Sequence, residues 1–115
     1  MITIRLADSF QTKVLVSRPT ARSLLSELQG ALEGSPDELV FDFEGIRVVT
    51  PSFLDELLLL TERVPGPQPD GIHKTKIVLR NYPPGMDETL GAIGHAHDAD
   101  VILDDKGSWI FTRSA

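Results

Sequence analysis

The chain contains no cysteine. That removes disulfide scaffolds, thiol nucleophiles, zinc ribbons and iron–sulfur clusters together. It also fits a reducing compartment. Aromatic residues are scarce, with one Trp, one Tyr and five Phe. No apolar run approaches the length of a membrane span; the longest, Leu57 to Leu60, covers a single helical turn. Met1 to Ala7 contain Arg5 and no apolar core, so no secretory signal is expected and the cytoplasm is the default location. Basic residues are in deficit, 11 against 17 acidic, for a net charge of −6. Free nucleic acid is therefore not an expected partner, because phosphate neutralisation needs a basic face.

What is present describes one folded domain over residues 1–115. The hydrophobic fraction of 41% and charged fraction of 24% are ordinary for a globular chain. This length buries enough surface to fold without a metal or disulfide staple. Ile2, Ile4 and Leu6 alternate with polar residues and predict a strand. Lys13-Val14-Leu15-Val16 predicts a second strand, joined to the first by a polar turn as a hairpin. One helix is expected after Ser17 or Thr20, with Pro19 in its first turn and Ala21, Leu24, Leu25, Leu28 and Leu32 on one face. Gly34-Ser35-Pro36 ends it.

Glu38 to Phe43 reads as a strand with Leu39, Phe41 and Phe43 on one face. Ile46 to Val49 is a short apolar approach to a second helix. Thr50 caps that helix, Pro51 is its first residue, and Asp55 and Glu56 complement its dipole. Its Leu57-Leu58-Leu59-Leu60 tetrad surrounds a helical turn, which implies helix–helix packing or a partner-facing patch. The Pro- and Gly-rich residues 64–71 form a loop. Lys76 to Leu79 is a strand, Met86, Leu90 and Ile93 space a last helix, and Val101–Leu103 and Trp109–Phe111 are final strands. Asp104 to Gly107 suits a hairpin turn between them, and Trp109 packs on the sheet. Strands alternating with helices predict an α/β fold, a mixed β-sheet with helices packed mainly on one face.

The stretch from Val40 to Leu57 carries the one informative motif. An apolar-Asp-apolar strand around Asp42 leads through Gly45 and Ile46 into Thr50-Pro51-Ser52-Phe53-Leu54-Asp55-Glu56-Leu57. It resembles the middle of the STAS domain, the fold of anti-sigma-factor antagonists. The Thr-Pro-Ser-Phe-x-x-Glu-Leu pattern is more similar to uncharacterised bacterial STAS-like domains, and Ser17-Arg18 is similar to them too. The resemblance implies a non-catalytic regulatory module without a cofactor. It would bind a regulatory ATPase of the histidine-kinase-like type, or another signalling protein. The implied contact set is Thr50, Pro51, Ser52, Phe53, Asp55 and Glu56. In the antagonists the first serine of an Asp-Ser-Ser-Gly helix start is phosphorylated. Pro51 stands at that position and has no hydroxyl, so a phosphoacceptor would be Ser52 or Thr50. Capping alone is the other reading of both.

Other candidate residues have plainer explanations beside them. Asp42 is either a reactive carboxylate or a locally hydrogen-bonded strand residue. His95, His97 and Asp98 invite a metal, but histidines two apart diverge on a helix, and His also suits a helix C-terminus. A small metal enzyme using Asp42, His95 and His97 is the remaining alternative. Arg18, Arg22 and Arg47 suit phosphate or carboxylate, without a glycine-rich nucleotide cradle. No nucleophile elbow or catalytic triad order is present. A homodimer is compatible with the sequence; no membrane association is expected.

Overall fold

The computed structural model describes residues 2–32, 38–63, 76–83, 87–96, 99–103 and 107–113. Strand β1 (Ile2–Arg5) is followed by helix α1 (Leu6–Phe10) and strand β2 (Val14–Leu15). Helices α2 (Arg18–Arg22) and α3 (Leu25–Leu32) come next, then β3 (Glu38–Asp42) and β4 (Val48–Val49). Helix α4 (Pro51–Arg63), strand β5 (Lys76–Arg80) and helix α5 (Asp87–Ala96) precede β6 (Ala99–Leu103) and β7 (Trp109–Arg113). The main sheet has five strands in the order β1-β3-β5-β7-β6. Its first three strands are parallel, and β7 is antiparallel to both β5 and β6. This is the expected α/β fold with a mixed sheet.

The register assigns one sheet face to the core. Ile4, Phe41, Leu79 and Trp109 form one row across the strands, and Leu39, Ile77 and Phe111 form the next. These residues join Leu24 and Leu28, Leu54 and Leu57, and Leu90 and Ile93 from the helices in a single buried cluster. Strand β3 is buried on both faces from Leu39 to Asp42, as a central parallel strand should be. The leucine tetrad resolves as core: Leu57, Leu58 and Leu60 are buried, and Leu59 is partly so. Trp109 packs on the cluster, and β6 and β7 form the expected antiparallel pair. The expected loop at 64–71, Met86, and the turn residues 104–106 lie outside the described residues.

Two expectations are corrected. β1 and β2 do not form a hairpin. Leu6 to Phe10 coil into a helical turn that buries Leu6 and ends on Gln11, which adopts φ 53° and donates its N–H to the Ala7 carbonyl at 2.9 Å. β1 then pairs in parallel with β3, while β2 pairs in parallel with β4 in a separate two-stranded ribbon. Alternation alone revealed the strands but not their partners. The single helix expected between residues 17 and 34 is two. The Ser23 hydroxyl donates to the Thr20 carbonyl at 2.6 Å, and the Leu24 N–H bonds back only three residues, to Ala21 at 3.0 Å. Such a serine competes with the helical ladder and tightens the turn, so α2 ends and α3 begins afresh.

Tyr82 follows β5 and packs edge-on against Phe43, with ring centroids 4.9 Å apart. Its hydroxyl is buried without a hydrogen-bond partner among the described residues, and that burial raises its pKa. A buried unpartnered hydroxyl costs about 1–3 kcal/mol. We therefore expect Tyr82→Phe to match or exceed the wild-type stability in urea denaturation.

Candidate functional site

The site grows from the small ribbon. The Arg47 N–H donates to the Lys13 carbonyl at 2.7 Å, and the Thr50 N–H to the Leu15 carbonyl at 3.0 Å. Two chain segments thus run side by side and each enters a helix at the same end. Ser17 caps α2, its hydroxyl accepting the Thr20 N–H at 3.3 Å, with Pro19 in the first turn. Thr50 occupies the corresponding place before α4. Its hydroxyl accepts the Phe53 N–H at 3.3 Å and donates to the Val16 carbonyl at 3.0 Å. One threonine therefore caps its own helix and fastens it to the neighbouring strand.

Ion pairs lock the two helices together. The Arg18 guanidinium lies 2.7 Å from the Asp55 carboxylate and 3.4 Å from Glu56. Arg22 reaches the other Glu56 oxygen at 3.1 Å. Glu56 is 5% exposed, and a carboxylate at that depth needs the partners that both guanidiniums supply. The Asp55 hydrogen bond, opposed by desolvation and aided by the charges of Asp55 and Glu56, raises the Arg18 pKa further. Two of the three arginines read from the sequence as anion binders, Arg18 and Arg22, thus hold carboxylates of the chain itself.

Of the expected contact set, the structure brings all six residues to one helix start but turns two inward. Phe53 is fully buried, edge-on to Phe10 with centroids 5.8 Å apart, and Glu56 is buried beneath the arginines. A residue with no exposed surface cannot touch a partner, so direct contact by Phe53 is set aside. Glu56 acts by positioning Arg18 and Arg22. Pro51 and Ser52 are exposed, and Thr50 and Asp55 are half-buried. The hydroxyl of Thr50 is committed at both its bonds, whereas Ser52 stands in the first turn of α4 facing solvent.

The Asp42 carboxylate sits apart, at the end of β3. One oxygen accepts the Glu44 N–H at 3.0 Å and the Asn81 side-chain amide at 2.9 Å; the other lies 3.8 Å from Arg80. Desolvation pushes its pKa up, but the hydrogen bonds from Asn81 and Glu44 and the charges of Arg80 and Arg5 outweigh it and leave the pKa lowered. Gly45, at φ 89°, and Asn81, at φ 58°, shape the turns that deliver these groups. Sequence reading found Asp42 but missed Asn81. Its signal was an asparagine directly after a strand, a residue tolerant of the left-handed region. His95 is exposed in the last turn of α5, and His97 and Asp98 lie outside the described residues. Among the described residues, no three His, Asp or Glu side chains converge as metal ligands. No helix among them is long and apolar enough to cross a membrane.

Residues 20–58 match the family model described as a STAS-like domain of unknown function (DUF4325). The STAS-like match covers about one third of the chain, from the last turns of α2 through β3 and β4 into α4. It therefore includes Arg22, Thr50, Ser52, Asp55 and Glu56, and stops short of the β2 segment that completes the ribbon. The five-stranded mixed sheet with its helices agrees with a STAS-like fold. No curated protein and no solved structure gives a significant match to the chain.

Two outcomes follow from the charge arrangement. Replacing Arg18 and Arg22 together by Ala takes both ion-pair partners from the buried Glu56 carboxylate, and should lower Tm by several degrees. Adding Glu56→Leu should restore most of the loss, since an apolar side chain needs no counter-charge; calorimetry on the double and triple variants checks this. For Asp42 the folded pKa lies below the unfolded value. Its contribution is thus fully present above the unfolded pKa and fades as pH falls through the folded one. The stability gap between wild type and Asp42→Asn should be widest near neutrality and shrink with acidification, read from urea midpoints across pH 2 to 7 (about the carboxylate range).

Proposed function

We propose that the chain is a non-catalytic regulatory module of the cytoplasm that docks on a signalling protein through the start of α4. The partner class we favour is a regulatory ATPase resembling histidine kinases. The observation that carries the reading is the exposed Pro51-Ser52 step, fixed from beneath by the double role of Thr50 and by the Arg18–Asp55–Glu56–Arg22 network. A contact surface held this way loses little conformational entropy on binding. Its place inside the STAS-like match supports the regulatory sense. Pro51, Ser52, Thr50 and Asp55 form the contact, and Phe53 and Glu56 hold it in shape.

A second reading rests on Ser52. It is the exposed hydroxyl of the pair, and a phosphate in the first helical turn meets the positive end of the helix dipole. Two added charges on an acidic surface would then repel an acidic partner face. The phosphoacceptor is Ser52 on this reading, and Thr50 remains a cap.

Affinity capture with the tagged chain tests the docking reading. Ser52→Arg, shown to have an unchanged Tm, should lose the captured ATPase. Retention of every captured protein by this variant would overturn the assignment. Incubation of the chain with that ATPase and ATP, followed by intact mass measurement, separates the phosphoacceptor from a constitutive binder.

A further inference from the structure

The β2–β4 ribbon carries a feature the helix start does not explain. Val14 and Val48 are register partners, 45% and 46% exposed, and Val16 beside them is 49% exposed. Their neighbours Leu15 and Val49 point into the core and are buried. Three valines therefore lie together in water on the outer face of a two-stranded ribbon, next to Pro51 and Ser52. Threonine keeps the β-branched strand propensity at such solvent-facing positions, so the exposed part of these valines adds nothing to the fold's own core.

The charges around the valines are equally uneven. Arg5, Arg18, Arg22 and Arg80 each face a carboxylate. Lys13 and Arg47, exposed and bonded to one another through their backbones at the open end of the ribbon, face none among the described residues. In a chain of net charge −6, this end is a local cationic rim beside an apolar strip. Two cations without a carboxylate partner at one place give an acidic segment a reason to settle there.

We propose that the outer face of the ribbon, Val14, Val16 and Val48 with Lys13 and Arg47, is a docking strip for an acidic–apolar segment of the protein partner. The valines bury its apolar side chains, and the two cations meet its carboxylates and set its direction along the ribbon. The inference rests on the docking reading above and names the partner's chemistry at a surface adjoining the α4 start.

The probe is a phage-displayed library of random peptides panned on the purified chain. Enriched peptides should combine Asp or Glu with Val, Ile or Leu. Their affinity should weaken at least about tenfold in a Lys13→Glu, Arg47→Glu double variant and fall with added salt. Val14→Thr with Val48→Thr, which keeps the strand propensity, should weaken binding without a shift in Tm. Absence of enrichment, enrichment without acidic residues, or full binding to the charge-reversed variant overturns the proposal. So does a wild-type dimer in light scattering that the valine variant dissolves, because the occupant is then a second copy. The arms also separate the two claims. If Ser52→Arg loses the captured ATPase while the ribbon variants keep it, the docking reading stands and the strip fails. If both kinds of variant keep it, both fail.

Discussion

The buried carboxylate of Glu56 is the constraint on which the site depends. A charge at this depth must be met, and Arg18 and Arg22 are what meets it. Both belong to a helix of five residues, too short to persist by its own hydrogen bonds. The short helix is therefore held by tertiary contacts: its cap at Ser17, its ion pairs to α4, and Ala21 and Leu24 in the core. Removing the carboxylate's counter-charges would loosen α2, and with it the end of the ribbon that leads into α2.

The same economy appears at Thr50. Its hydroxyl accepts from its own helix and donates to the strand beside it. Ribbon, caps and ion pairs thus converge on one end of the molecule, and the leucine stripe of α4 anchors that end to the sheet. The exposed Pro51-Ser52 step and the exposed valines lie on this backing, which is why we propose it as an interaction surface. The Asp42 cluster uses similar means for a different purpose. Its carboxylate is satisfied by Asn81, Glu44 and Arg80, and it pins the β3 and β5 ends together.

Much of this was legible from the sequence where one residue carries one signal. Thr50-Pro51 marked the start of α4, and it starts there. The alternation in Leu39, Phe41 and Phe43 marked the core face of β3, and all three are buried. Pairings between distant segments were not legible. Ile2-Thr3-Ile4 and Val14-Leu15 show the period of strands, but nothing local tells that one joins β3 and the other β4. The resemblance put Phe53 and Glu56 in the contact set, and both turn inward; a helix of mixed polarity does not announce which polar residue does so. Only the facing arginines, Arg18 at 38 and Arg22 at 34 residues' distance along the chain, decide that for Glu56. The exposed valines escaped notice for the opposite reason, since a strand of β-branched residues reads as buried.

The central claim is that the ribbon and the two helix starts form one pre-built surface for a protein partner. Amide hydrogen exchange, measured on the chain alone and bound to its captured partner, tests this most directly. The account predicts added protection in segments 13–18 and 47–55, with α5 and β6 unchanged. Added protection confined to α5 or the β6 edge, with 13–18 and 47–55 exchanging as before, would contradict it.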